Sequence, residues 1–315
     1  MKSISRMENT KNGELVIAAV FATMNRSSTA VSCVKSLAAQ THPPDHVIVA
    51  DNVSTDSTFR DLHALRELPF ELTVIPMPEN AGNAGGVKEA MELAFEKGAD
   101  AVWILDDDSW PRPDALEAML KDGFDQDVVS HPIQIDPLTK KFTWPLQVLK
   151  NGEWILATTK EELPAGEKAV SRGVWTGALV SRRIRETIGP VMAELFIRGE
   201  DEEYPWRMAE AGFSHAVYRD AVLDHPGPTS IIALSCFGKS FFFERGLADW
   251  KFYYKTRNMV WLKRKQSGKC KALLTGLAYS LAGLLSEGPS RLPLAWAAAK
   301  AGWKGELGRM PKNLV

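Results

Sequence analysis

The sequence predicts an α/β protein, a doubly wound and mostly parallel sheet followed by a helical C-terminal region. Three observations carry this. Apolar β-type runs alternate with helix-periodic segments from Leu15 to Leu120, the pattern of strands joined by crossover helices. Polar residues able to meet a ligand fall just after those runs, at the carboxyl edge where open α/β sheets bind ligands. Lastly, the apolar run 101–105 drives straight into Asp106, Asp107 and Asp108. Three adjacent carboxylates cannot remain in a core, because unpaired buried charge is too costly. The strand therefore ends there. Asp106 and Asp108, two apart on an extended chain, share a face. Two hard oxygens facing one way suit Mg²⁺ or Mn²⁺ shared with a diphosphate. The alternative is a solvated acidic loop or the cap of a helix announced by Pro111, Pro113 and Asp114.

Residues 15–22 form the first strand. Thr23, Met24, Asn25 and Arg26 follow as a polar loop. Ser28 caps a helix over 29–39, where Val31, Val34, Leu37 and Ala38 repeat at helical spacing. Pro43 and Pro44 make 40–45 a loop. The second strand, 46–50, ends in Asp51-Asn52-Val53-Ser54-Thr55-Asp56, a turn rich in capping side chains. A helix over 59–65 and a third strand over 72–75 come next. Asn80-Ala81-Gly82-Asn83-Ala84-Gly85-Gly86 reads as a loop whose small residues let backbone approach a ligand. The next helix spans 87–96. Each of these turns alone is ordinary loop chemistry; several at one sheet edge mark a site.

The 315 residues suffice for a large core. Their composition is that of a globular protein, 45% hydrophobic and 24% charged, and the net charge of -1 gives no global sign of a nucleic-acid partner. Cys33, Cys236 and Cys270 have neither zinc nor disulfide spacing, which fits a reducing, cytoplasmic setting. Residues 1–13 are polar and read as a disordered tail without the apolar core of a signal peptide.

Residues 125–159 mix short strands and loops, with a hairpin at Asn151-Gly152. Trp175 opens another buried stretch; it is either a core residue or a stacking platform for an acceptor sugar. Apolar Leu195, Phe196 and Ile197 lead into Glu200, Asp201, Glu202 and Glu203. These acids start a helix that runs to Gly212, at its favourable end. A strand over 216–223 stops at Asp224-His225-Pro226-Gly227. The tail is aromatic and basic, from Phe241-Phe242-Phe243 through Arg257 to a collar of Lys263, Arg264, Lys265, Lys269 and Lys271. Residues 272–285 are apolar but shorter than the ~20 residues of a membrane span. They form a buried helix, or lie in an anionic membrane interface beside the basic collar. A last helix, 294–303, carries exposed-looking Trp296 and Trp303.

From Leu15 to about Leu262 the chain resembles the family 2 glycosyltransferases of the GT-A, nucleotide-diphospho-sugar type. The matching residues are Thr23-Met24-Asn25-Arg26, Gln40-Thr41 with Pro43-Pro44, Val49-Ala50-Asp51-Asn52 with Ser54-Thr55-Asp56, Asn80 with Gly82, Ala84, Gly85 and Gly86, and Asp106-Asp107-Asp108. Residues 195–227 are most similar to bacterial cell-wall galactofuranosyltransferases of the initiating type; rhamnosyltransferases using dTDP-rhamnose share much of the pattern. The resemblance implies a GT-A catalytic domain over 14–240 and a helical region over 241–315. It implies donor contacts from Thr23, Asn25, Arg26, Asp51, Asn80, Asn83, Gly85, Gly86, Asp106 and Asp107, with Asp51 reading the base. Asp106, Asp108 and His225 hold Mn²⁺ or Mg²⁺. Asp201 is the catalytic base, with Glu200 as the fallback, and Trp175, Arg207 and Arg257 meet the acceptor. Many relatives carry Tyr where Met24 stands. The expected activity is inverting transfer from UDP-galactofuranose, or else dTDP-rhamnose, to a glycan or lipid-linked glycan. The setting is the cytoplasm or the inner face of the membrane, and no nucleic acid is involved. A nucleotidyltransferase would carry a basic Gly-rich loop after the first strand, whereas 23–28 has one Arg and no Gly. A non-catalytic sugar-binding module would lack the acids.

Overall fold

The computed structural model describes residues 14–228, 231–236, 239–311 and 314. The tail expected over 1–13 lies outside the described residues. The first half alternates as expected: β1 Ile17–Thr23, α1 Ser27–Ala38, β2 His46–Asp51, α2 Thr58–His63, β3 Glu71–Pro76, α3 Gly82–Glu96 and β4 Ala101–Ile104. Then come β5 Trp110–Pro111, α4 Ala115–Leu120, β6 Val128–Ile135, β7 Leu146–Lys150, β8 Glu153–Ala157, β9 Lys168–Val170, β10 Leu179–Ser181 and α5 Arg182–Ile188. The chain closes with α6 Glu200–Glu210, β11 Ser214–Asp224, β12 Ile231–Cys236, β13 Lys239–Glu244, α7 Asp249–Glu287 and α8 Leu292–Lys304.

The main sheet runs β3-β2-β1-β4-β10-β6-β11-β5, with β9 also on β11. Its first four strands are parallel. The antiparallel β10 then separates β4 from β6. Strand pleating sorts the β1 side chains into two cores. Ala18, Val20 and Ala22 pack under α3 on one face, while Ile17, Ala19 and Phe21 pack under α1 on the other. Because β1 is covered on both faces, it reads in sequence as unbroken apolar residues. The hairpin expected at Asn151-Gly152 is β7–β8, and Asn151 and Gly152 both have positive φ.

Some boundaries moved. Helix α1 starts at Ser27 with Arg26 at the cap, so Ser28 lies inside it. Residues 82–86 are the first turn of α3 and not a loop. The aromatic run ends in the β12–β13 hairpin. Residues 249–287, labelled α7, are two helices joined at Gly268, whose φ is 84°; they fold back on each other, with Gly276 beside Val260 and Gly283 beside Phe252, and α8 runs antiparallel to the second of them, 269–287. No helix among the described residues is long and apolar enough to cross a membrane.

His131 on β6 and His215 on β11 are both buried between these strands. Burial pushes their pKa values down from 6.5, to about 3 and about 4. Between those values and 6.5 the unfolded chain binds more protons than the folded one, so stability is present above 6.5 and lost as pH falls. The expected slope is up to about 1.4 kcal/mol per pH unit for each histidine. Urea midpoints between pH 7.5 and 4.5 should fall accordingly, and His215→Phe should flatten the fall; an equally steep profile in that variant would remove His215 from the account.

Candidate active site

The carboxyl edge of β1, β2 and β4 gathers most of the polar residues picked out above. Asp106, Asp108 and His225 each offer one ligand atom, and those atoms lie within 4.8 Å of one another. Asp106 comes from the end of β4 and His225 from the residue after β11, 119 positions later. The adjacency follows from sheet order, which places β10, β6 and β11 beyond β4. His225 is well held. Its backbone N–H donates to Ile135 O at 3.0 Å, and Thr143 Oγ1 donates to its carbonyl at 2.7 Å. Its Nδ1 faces Pro226 O at 2.9 Å, which leaves Nε2 directed at Asp106 Oδ2, 3.4 Å away. Thr176 Oγ1 donates to the same Asp106 oxygen at 2.6 Å. Two carboxylates and an imidazole with a tethered second nitrogen are a donor set that fits Mn²⁺ or Mg²⁺.

Three carboxylates in a row need countercharge, and the chain supplies two cations. The Arg26 guanidinium contacts Asp107 at 2.9 Å and Asp108 at 2.8 Å. Burial disfavours a charge on His225, but the Asp106 hydrogen bond and the charges of Asp106 and Asp108 outweigh it and carry its pKa up to about 9. Asp107 points inward. It accepts from Thr23 Oγ1 at 2.8 Å, and burial raises its pKa to about 7 despite Arg26.

The loop after β2 is built on side chains. Ser54 donates to Asp51 through its backbone N–H at 3.2 Å and through its hydroxyl. Asn25, at φ 53°, accepts from Thr55 N at 2.7 Å. Asn52, to which the sequence pattern assigned no role of its own, ties this loop to the next. It accepts from Ala81 N at 3.0 Å and donates to Gly82 O at 3.2 Å. Asn80 faces Met24 Sδ at 3.1 Å.

Five of the residues picked out for ligands turn to protein here. Gly85 and Gly86 are buried in α3, and a Cβ on Gly86 would stand 2.6 Å from Ala22 Cβ. The smallness of Gly86 lets α3 lie close on β1, while a Cβ on Gly85 would stand 2.5 Å from Ala81 Cβ. Trp175 is buried edge-on to Tyr204, with centroids 6.0 Å apart, and offers no face to a sugar. Arg207 pairs with Glu203 at 2.6 Å and donates to the carbonyls of Ile188 and Pro190. Arg257, also expected at the acceptor, is fully buried. It donates to the carbonyls of Glu194, Leu195 and Gly308, while Asn258 donates to those of Leu195, Ile197 and Arg198. These two side chains brace the turn that delivers Glu200 and Asp201.

At that turn the acidic pair divides. Glu200 is buried, accepting from Gly199 N–H and from Asn83 Nδ2, both at 3.0 Å. Asp201 is open to solvent. Both carboxyls are pushed upward in pKa. For Glu200 the causes are burial and then Asp201; for Asp201 they are desolvation by the neighbouring side chains and then Glu202, opposed by Lys255 and Arg198. Arg198 and Lys255 are in turn held by Glu244 of β13. Neither cation has a motif that would have flagged it in the sequence. The charge of Asp106 adds a smaller upward push on both acids.

A parallel half-sheet with this acidic edge is the architecture of the GT-A nucleotide-sugar glycosyltransferases. The chain belongs to glycosyl transferase family 2, whose model matches residues 19–189. It is 29% identical over 215 residues to galactofuranosyltransferase GlfT1 of Mycobacterium tuberculosis, covering 66% of this chain and 69% of that protein. The Mycolicibacterium smegmatis galactofuranosyltransferase GlfT1 is 25% identical over 221 residues, covering 67% and 71%. Among solved structures, the fold is shared with S. aureus TarS 1-349 in complex with UDP (TM-score 0.54, 16% identity, 93% of this chain and 82% of that one). It is also shared with GalNAc-T7 with UDP, GalNAc and Mn²⁺ (TM-score 0.53, 13% identity, 88% and 59%).

Proposed function

We propose that this protein transfers galactofuranose, with inversion, from UDP-galactofuranose to a hydroxyl of a lipid-linked glycan in cell-wall or surface polysaccharide synthesis. The observation that carries the reading is the convergence of Asp106, Asp108 and His225, whose ligand atoms lie within 4.8 Å of one another at the carboxyl edge of the sheet. The likeness to galactofuranosyltransferases over 215 residues supports the choice of sugar. Residues 14–240 act as the catalytic unit, and 241–315 brace it. Asp106, Asp108 and His225 hold Mn²⁺ or Mg²⁺, and a cation there supplies countercharge to the departing diphosphate. Arg26 is half-exposed and lies beside the same acids, where it can meet donor phosphates. Asp51 and its loop face the base. The acceptor oxygen attacks the anomeric carbon from the side away from the diphosphate. As the new C–O bond forms and the bond to diphosphate breaks, Asp201 takes the hydroxyl proton.

Hydrolysis of a panel of UDP- and dTDP-sugars in Mn²⁺, with calorimetry of the free nucleotides, tests this. UDP is expected to bind more tightly than dTDP, and UDP-galactofuranose to be turned over fastest. A clear preference for dTDP would move the assignment to rhamnosyl transfer.

A further inference from the structure

The apolar stretch of α7 does not bury its leucines. Leu273, Leu277, Leu281 and Leu285 recur every four residues along one helix face and are 49–62% exposed; Leu274 beside them is 59% exposed. The inward positions are small instead: Ala272, Gly276, Ala282 and Gly283 are the buried ones. Gly276 packs against Ala299 and Gly283 against Arg291, which sets α8 alongside α7. Helix α8 continues the outer face with Leu292 and Trp296, the latter 68% exposed. A contiguous apolar surface of this kind is unusual on a monomer and marks an interaction site.

The charge around it is one-sided. Between residues 263 and 304 there are eight Lys and Arg but one acid, Glu287, in a chain whose net charge is -1. Glu287 is already paired with Arg291. Lys265, Lys269, Lys271 and Lys300 are exposed. Because the helices run antiparallel, Lys269 and Lys271 stand at the same end as Lys300 and Lys304, and the leucines continue from there towards Trp296. Apolar residues on one face with lysines at its margin and an interfacial tryptophan match a helix pair lying in the headgroup region of an anionic bilayer. A self-associating face needs no such excess of one charge, since two copies would bring like charges together.

We propose that the outer face of α7 and α8 is a docking surface for an anionic lipid bilayer. The opposite face of the same helix supports the cleft. Tyr279 packs edge-on to Phe243 of β13 at 5.2 Å, and the next residue, Glu244, pairs with Arg198 and Lys255. Docking therefore leaves one helix thickness, ~10–12 Å, between the lipid and the β13 hairpin that holds Arg198 and Lys255. This suits a lipid-linked acceptor and to that extent rests on the function proposed above; vesicle binding is read without donor or acceptor and stands or falls alone.

The test is flotation of the full chain with vesicles of phosphatidylcholine containing about 30% phosphatidylglycerol, against pure phosphatidylcholine. Binding to the anionic vesicles is expected to be at least tenfold tighter and to weaken with salt. Leu277→Glu with Leu281→Glu changes only exposed positions. It should lose vesicle binding at least tenfold while keeping the wild-type melting profile and UDP affinity. Lys269→Glu with Lys271→Glu should remove the preference for anionic lipid. Absence of flotation, or equal flotation of the leucine variant, overturns the proposal. So does a wild-type dimer in light scattering that the leucine variant dissociates while neither binds vesicles, since the face then belongs to a second copy.

Discussion

Asp108→Ala is expected to abolish Mn²⁺-dependent UDP binding while the protein stays folded. Loss of a direct ligand should cost more than the 10–100-fold seen when only the groups supporting a ligand are removed. The fold should survive because Asp108 is only partly buried and each of its partners keeps another carboxylate. Its contacts are Arg26, which keeps Asp107, and His225, which keeps Asp106. Calorimetry with UDP and Mn²⁺ beside a thermal melt separates the two effects. Undiminished transfer in this variant, or full wild-type activity in excess chelator, would overturn the metal assignment. A second signature comes from His225. Its pKa of about 9 means that the metal-free site is protonated at pH 7, whereas a ligand must be neutral. Metal binding should release a proton, and affinity should rise with pH up to that value. Titrations in buffers of different ionisation enthalpy report the proton directly.

Asp201→Asn is expected to cut turnover by 10²–10⁴-fold, or roughly 3–5 kcal/mol of barrier, with donor affinity nearly unchanged. The two acids begin a helix, which turns their side chains about 100° apart. Glu200 faces inward to Gly199 N–H and Asn83, while Asp201 is exposed and free to meet the acceptor hydroxyl that the proposed reaction requires. Glu200→Gln should therefore act through the placement of Asn83 and the turn, with a smaller loss that appears partly in donor KM. If single-turnover kinetics find Glu200→Gln inactive and Asp201→Asn mild, the roles are exchanged. If both variants remain active, the acids are a helix cap and the base lies elsewhere.

Much of this was legible before any coordinates. Strand and helix patterning was clear because β1, β2 and β4 are covered on both faces and so read as continuous aliphatics. The acids after β4 were legible as a strand end because charge cannot follow a buried strand further inward. The glycines of 82–86 were read as a ligand loop because smallness serves close packing as well as a ligand: Gly86 lies against Ala22 of β1 and Gly82 against the backbone of Phe196, and sequence does not distinguish the two uses. The basic side chains were misread for a related reason. A buried arginine is tolerated only when enough acceptors converge on it, and the carbonyls that hold Arg257 come from residues 194, 195 and 308, far away along the chain.

The sequence by itself determined the α/β class, the order of the parallel strands' elements and the residue types at their carboxyl ends. Those follow from local periodicity and from the cost of burying charge. Tertiary structure alone decided which of those residues meet. The approach of His225 to Asp106 and the separate orientations of Glu200 and Asp201 depend on sheet order and on the braced turn before α6. It also decided which face of 272–285 is turned inward. Leucines and small residues are both apolar, so composition favours neither face. Close approach of α8 requires the small ones between the helices, and that contact leaves the leucines outside.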